Sequence, residues 1–190
     1  MSLYSKSSSK KSKSQKKKEK QREKEKAREK EIEEELKNAG PSQKDVEIDA
    51  LKKKFLEPNG LVLKEVKADG HCLYRAIADQ IRKSESDYKD IRKICADILK
   101  DNEAEYAPFA IVDCSYQEYI DNVRSSSEWG GQLEARALAQ GLQRKIIIYS
   151  VEYAEPVIMG EEFTDSKPIL LSFHRHYYAL GEHYNSVVTL

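Results

Sequence analysis

Leu61-Val62-Leu63-Lys64-Glu65-Val66 is a short β-forming run that feeds through Ala68-Asp69-Gly70 into a segment whose apolar residues return at helical spacing. This strand, glycine loop and helix fix how the chain begins its core. In the helix, Leu73, Ala76, Ile77 and Ile81 share a side with Gln80, so the face is buried from its first turn. The residue delivered onto that turn is Cys72. A thiol there feels the positive helix end, and helix N-termini or a neighbouring imidazole lower a cysteine pKa from about 8.5 to roughly 3.5 to 7.5. The expectation is a reactive thiolate; the bland alternative is a buried structural cysteine.

A second segment weighs against the bland alternative. Gly181-Glu182-His183-Tyr184-Asn185-Ser186-Val187-Val188 reads as a turn entering a strand. Side chains two apart share a sheet face, so His183 and Asn185 project together while Tyr184 and Ser186 point the other way. Thiol catalysis needs an imidazole to exchange the cysteine proton and a third group to hold the other ring nitrogen, which an asparagine amide oxygen can do. Taken singly, His183 also fits a surface strand end and Asn185 a turn.

A third segment lies between them: Glu128-Trp129-Gly130-Gly131-Gln132-Leu133-Glu134, followed by Ala135, Ala137, Leu138 and Ala139. Together with Asp69-Gly70-His71-Cys72-Leu73-Tyr74-Arg75-Ala76 and His183-Tyr184-Asn185-Ser186-Val187, in this chain order, it resembles the motifs of the ovarian-tumour (OTU) domain cysteine proteases, ubiquitin-removing enzymes with a papain-like active site. The resemblance covers roughly Leu61 to Leu190. It implies an α/β (α+β) papain-like fold with helices packed on a mixed central sheet. It also implies Cys72 as nucleophile, His183 as base and Asp69 as a further catalytic residue, acting without a cofactor on the C-terminal Gly-Gly of ubiquitin joined to protein substrates. The charged extension suggests the subgroup of small OTU proteins with a coiled-coil-like region before the domain.

Asp69 has a more indirect physical role than the resemblance implies. An aspartate just ahead of a helix caps backbone amides two or three residues on, here those of His71 and Cys72, and so holds the loop. A loop held that way can aim the amides of Gly70, His71 and Cys72 at the oxygen of a tetrahedral intermediate. Asn185 is then the expected partner of His183, and His71 matters through its amide more than its ring. Trp129, His176 and Tyr177 are candidate walls of the substrate cleft, with core anchoring of the Gly130-Gly131 turn the simpler role for Trp129.

The neutral total hides two opposite parts. Of 33 basic and 33 acidic residues, Met1 to Gly40 hold 14 and 8, a net of +6, leaving 19 and 25, a net of −6, for the rest. Ser5 to Ser14 is serine and lysine only, a tract suited to disorder, nucleic-acid contact or nuclear targeting. Lys16 to Lys37 consists of strong helix formers, but its apolar residues Ala27, Ile32 and Leu36 are too few for heptads, so a single solvated helix and a monomer are expected. Its basic charge allows docking to RNA or a ribosomal surface. With no visible signal peptide and no apolar stretch of about 18 residues, a soluble cytoplasmic protein without membrane contact is expected. The domains read as 1–40, a charged, largely disordered to helical extension; 41–60, a helical linker; and 61–190, the catalytic domain.

Further helices are expected over Val46–Leu56, Asp90–Lys100, Tyr116–Arg124 and Leu133–Leu142, and strands at Lys145–Ser150, Pro156–Met159, Ile169–Phe173 and Tyr184–Leu190. Cys95 falls on an apolar stripe and reads as core, and Cys114 as a loop residue; neither has a CxxC partner. His174, His176 and His183 are the one candidate metal cluster, the first two on a shared strand face, but no zinc-type pairing supports it and no metal is expected. Two other classes of function stay open: a ubiquitin-binding scaffold with an inhibited site, and an RNA- or ribosome-associated adaptor in which the protease is secondary.

Overall fold

The computed structural model describes residues 13–38, 41–110, 113–178 and 181–190. Helix α1 spans Lys13–Asn38 and α2 Pro41–Leu51; α2 runs on through a wider π-helical turn, Lys52–Leu56, and a 3-10 turn, Glu57–Asn59. Gly60 ends this segment at φ +62°, where a Cβ would be strained, and strand β1 (Leu61–Lys64) follows at once. Next come α3 (Cys72–Arg82), α4 (Tyr88–Asp101), the short α5 (Glu103–Tyr106), α6 (Tyr116–Ser125) and α7 (Gln132–Leu142). Strands β2 (Ile146–Tyr149), β3 (Val157–Met159), β4 (Ile169–Tyr178) and β5 (Gly181–Thr189) complete the sheet.

The sheet order is β1-β5-β4-β2-β3, with β2 and β4 parallel and every other pair antiparallel. This is the mixed sheet carrying helices that the resemblance implies. Strand periodicity divides the core in two. Ile146, Ile148, Ile169, Leu171 and Tyr184 face the main core built with α3, α4, α6 and α7, where Leu73, Ile77, Ile91, Leu99 and Leu138 are fully buried. Tyr149, Leu170 and Val187 face the other way and pack with Leu51, Phe55 and Leu56. The segment expected as a helical linker, 41–60, is therefore the second layer over the sheet.

Local chemistry sets the helix starts. Ser115 accepts the Glu118 amide at 3.2 Å ahead of α6, and Glu134 in the first turn of α7 reaches back to the Gly131 amide at 2.6 Å. Strand β4 is twice as long as expected because an irregularity between His174 and Tyr178 lets pairing with β5 resume at Tyr178 and Gly181. That irregularity also corrects the facing of two histidines: His174 is fully buried while His176 is exposed, so they do not share a face. Among the described residues no group of three or more His, Cys, Asp or Glu is arranged to hold a metal ion, and no helix is long and apolar enough to cross a membrane.

Candidate active site

Cys72 is the first residue of α3, behind the loop 67–71, and is 4% exposed. The Asp69 carboxylate organises that loop. Its Oδ1 accepts the His71 amide at 2.9 Å, and both oxygens are gripped by Arg75, with Nη2 to Oδ2 at 2.7 Å and Nε to Oδ1 at 3.1 Å. The Cys72 amide donates to the Asp69 carbonyl at 3.3 Å. Burial works to raise the Asp69 pKa, but the bonds and charge of Arg75 outweigh it and hold the carboxyl below its ordinary value. Of the three amides expected to face an oxyanion, those of His71 and Cys72 are thus both bonded to Asp69, the first to its carboxylate and the second to its carbonyl.

The loop is pinned from the other side by Arg92 of α4, a residue that sequence reasoning passed over. Its guanidinium donates from Nε to His71 Nδ1 at 3.0 Å, from Nη1 to the Val123 carbonyl at 2.7 Å, and from Nη2 to the carbonyls of Gly70 and Glu128 at 2.9 and 2.5 Å. It also lies 4.1 Å over the Tyr74 ring. One buried cation therefore ties the nucleophile loop to the segment that carries Trp129. The two backbones approach so closely that a Cβ on Gly70 would stand 1.7 Å from the Ser127 oxygen, which is why glycine occupies that position.

His183 and Asn185 lie on β5 and are 2% and 0% exposed. His183 Nε2 is 3.0 Å from Asn185 Oδ1, and the same oxygen accepts the Val66 amide at 3.0 Å. Because a backbone N–H can only donate, the oxygen of the amide group must face Val66 and the ring. Nε2 therefore carries the proton and Nδ1 is left as the acceptor. Tyr177 stacks on the His183 ring at 4.5 Å and 22°, and Lys44 of α2 sits 4.1 Å over the outer face of Tyr177. Glu47, also on α2, accepts the amides of Arg175 and His176 at 3.1 and 3.2 Å, fixing the irregular part of β4.

Gln80 locks the cysteine helix to this sheet: its amide oxygen accepts the Leu170 N–H at 2.9 Å while its amide nitrogen donates to the Leu170 carbonyl. The Cys72 sulfur takes the Tyr184 backbone N–H, so it lies beside the residue that follows His183. Trp129 packs against the start of β5, where a Cβ on Gly181 would come 2.2 Å from its ring. Cys95 is fully buried and its thiol faces the Glu134 carbonyl at 3.7 Å, as core filling requires.

The electrostatics differ from the expectation of a helix-activated thiolate. Burial pushes the Cys72 thiol up to about 11, against the opposing bond from the Tyr184 amide. Burial likewise pushes His183 down to about 4, although its bond to Asn185 acts the other way. Desolvation outweighs the helix end here, and the site rests as neutral thiol and neutral imidazole.

The cover over the site is α1, which is not the solvated helix expected from its composition. Glu25 Oε1 lies 3.8 Å from His71 Nε2, Arg28 lies 5.2 Å over Trp129, and Ile32 joins Asp69, Trp129, Gly181 and His183 around a narrow cavity.

Comparison with known proteins agrees with this geometry. The OTU-like cysteine protease family matches residues 67–184. The chain belongs to this family. It is similar to deubiquitinase OTUD6B of Homo sapiens, 35% identical over 146 residues covering 72% of this chain and 49% of that protein. The OTUD6B of Xenopus tropicalis is 37% identical over 147 residues, with the same shares covered. The chain spans about half the length of these curated relatives. Among solved structures, an OTU domain in complex with ubiquitin matches with a TM-score of 0.57 and 25% identity, covering 67% of this chain and 69% of that one. The OTUD1 OTU domain matches in fold with a TM-score of 0.60 and 22% identity, covering 75% and 95%. The mixed sheet with its helices is thus an OTU fold.

Proposed function

We propose that the protein is a thiol-dependent deubiquitinase that hydrolyses the isopeptide or peptide bond after the C-terminal glycine of ubiquitin. The observation that carries this is the fixed tautomer of His183, whose protonated Nε2 is spent on Asn185 so that Nδ1 carries the lone pair a base needs. Membership of the OTU-like cysteine proteases, with relatives named deubiquitinases and a structural neighbour bound to ubiquitin, supports the same chemistry and substrate class.

In this mechanism the Cys72 proton passes to His183 Nδ1 and the thiolate attacks the glycine carbonyl carbon. The tetrahedral oxyanion is received at the loop that Asp69 and Arg92 hold rigid, by the Gly70 amide and by the Cys72 amide once it turns from its 3.3 Å bond to the Asp69 carbonyl. The carbon–nitrogen bond then breaks, and the lysine or α-amine leaves with the proton from His183. Water, deprotonated by the same imidazole, cleaves the thioester to return the thiol and a ubiquitin carboxylate. Asp69 acts through the loop and Asn185 through the ring. Trp129 stands at the cleft as a wall, Tyr177 backs the histidine, and exposed His176 is left for contact with the bound protein. Ubiquitin and ubiquitinated proteins are the partners of a monomeric, cytoplasmic enzyme, and the basic tract at Ser5–Ser14 suits a separate contact with RNA or a ribosomal surface by its charge.

The test is covalent labelling by ubiquitin carrying a C-terminal electrophile, read by intact mass. An adduct in the wild type that is lost in Cys72→Ala is expected. An adduct that persists in Cys72→Ala, or none in either protein when the cleft is known to be open, would overturn the proposal.

A further inference from the structure

The exposure of α1 has a pattern its composition hides. Over residues 20–34, Gln21, Glu25, Arg28 and Ile32 are half-buried and every other side chain is exposed. Spacings of four, three and four place these residues on one stripe of a helix. Three of its residues meet the three motif segments: Glu25 on His71 of the cysteine loop, Arg28 on Trp129, and Ile32 beside Gly181 and His183. We propose that α1 is an occluding strap, docked by this stripe over the catalytic cleft, which must swing aside before a ubiquitin tail can enter. The proposal rests on the deubiquitinase reading of that cleft and adds its regulation.

Three observations support the strap. The cavity left between Ile32, Asp69, Trp129 and His183 is about 20 Å³, room for about one water and not for two extended residues at roughly 3.3 Å of length each. Around the groove it shares with Glu118 and Glu128, α1 brings three cations, Lys20, Lys24 and Arg28, and two carboxylates, Glu25 and Glu31, a net of +1 against −2. The chain from Asn38 to the start of α2 at Pro41 is only two residues long, so α1 is presented to the cleft at high effective concentration.

The docking is also built to be released. Ile32 is the one apolar side chain of the stripe over residues 20–34, Glu25 and Arg28 are half-exposed where salt screens their charges, and a groove of about 790 Å³ remains between α1 and the end of α6 with its following loop.

The experiment uses the full chain with two readouts: the rate of Cys72 alkylation by iodoacetamide, followed by peptide mass, and the rate of adduct formation with the ubiquitin electrophile. Ile32→Asp sets a carboxylate beside Asp69 and Glu182, Arg28→Ala removes the contact with Trp129, and Lys30→Ala on the exposed face is the control. These changes lie outside both cores, so circular dichroism of the domain is expected to stay as in the wild type.

Ile32→Asp is expected to accelerate both reactions about tenfold, equivalent to roughly 1.4 kcal/mol of docking lost. Arg28→Ala should give a smaller gain, Lys30→Ala no change, and added salt should accelerate the wild type. Faster alkylation with no ubiquitin adduct in any variant would uphold the strap and overturn the deubiquitinase reading. Unchanged rates in Ile32→Asp and Arg28→Ala, with wild type forming the adduct, would overturn the strap and leave that reading standing. Unchanged alkylation with no adduct anywhere would overturn both.

Discussion

Replacing Arg92 by alanine tests the claim that one buried guanidinium holds the nucleophile loop in place. Arg92 is 2% exposed, and its removal orphans the carbonyls of Gly70, Val123 and Glu128 as well as Nδ1 of His71. Each buried acceptor left unpaired costs about 1 to 3 kcal/mol. Water can enter the vacated volume and satisfy part of the set, so the expected destabilisation is about 3 to 5 kcal/mol, in the upper tail for single substitutions. With an m-value of about 2 kcal/mol/M, the urea midpoint should fall by roughly 2 M. Arg92→Lys keeps the charge but offers a point donor in place of a fork, so it should recover only part of this loss. Adduct formation with the ubiquitin electrophile, measured well below the unfolding transition, should fall at least about tenfold in Arg92→Ala because the Gly70 carbonyl loses its anchor and the loop its register. A variant within about 1 kcal/mol of the wild type would refute the structural argument. Lost labelling with unchanged stability would instead give Arg92 a direct part in binding substrate.

Three further outcomes are expected. Asn185→Ala should slow ubiquitin-electrophile labelling by about 10- to 100-fold, less than the complete loss in Cys72→Ala, because Oδ1 orients the ring without reacting; equal losses would contradict this division of roles. Tyr177→Phe should keep the stack on His183 and near-normal activity, whereas Tyr177→Leu should lower kcat more than it raises KM, and identical behaviour of the two variants would remove the stack from the argument. His71, His174 and His183 are all depressed by burial, to about 4, 3 and 4, so they stay neutral when folded and take up protons on unfolding as pH falls below about 6.5. The unfolded state then binds more protons, so stability is full above about 6.5 and declines toward pH 4, by roughly 2 kcal/mol per histidine at pH 5. A urea midpoint unchanged between pH 7.5 and 5 would refute that burial.

The elements that sequence pattern locates well are those with a one-sided apolar face or period-two alternation. Leu73, Ala76 and Ile77 mark α3, and Ile146 to Tyr149 divide cleanly between the two faces of the sheet. The candidate site residues were proposed from short segments that carry their chemistry, and the Gly70 contact with Ser127 shows why glycine stands at that position. Arg92 was missed because a lone arginine beside isoleucine reads as surface. A signal was present all the same: Arg92, Cys95, Ala96 and Leu99 lie at i, i+3, i+4 and i+7, so the arginine stands on the buried stripe of α4. The thiol was misjudged for a different reason. Helix position is visible in sequence, but the depth of burial that pushes Cys72 upward depends on how segments distant in the chain close over it.

Those distant segments act on the site in opposite ways. Residues 67–184 carry the family likeness, yet the His183 ring is backed through Tyr177 by Lys44, and the bend of β4 is held by Glu47, both on α2. Helix α2 is anchored by Leu51 and the following Phe55 and Leu56, all in the second core. Helix α1, over residues 20–34, touches the domain by a stripe with one apolar side chain. Burial of apolar area scales with stabilisation, so the prop behind the histidine is permanent on the timescale of turnover while the cover over the cysteine is not. Hydrogen exchange should therefore separate the two helices, with slow amides in Asp49–Leu56 and fast ones throughout Lys20–Glu34. Equal protection would show α1 to be a fixed part of the domain and would remove the basis for a cover that opens.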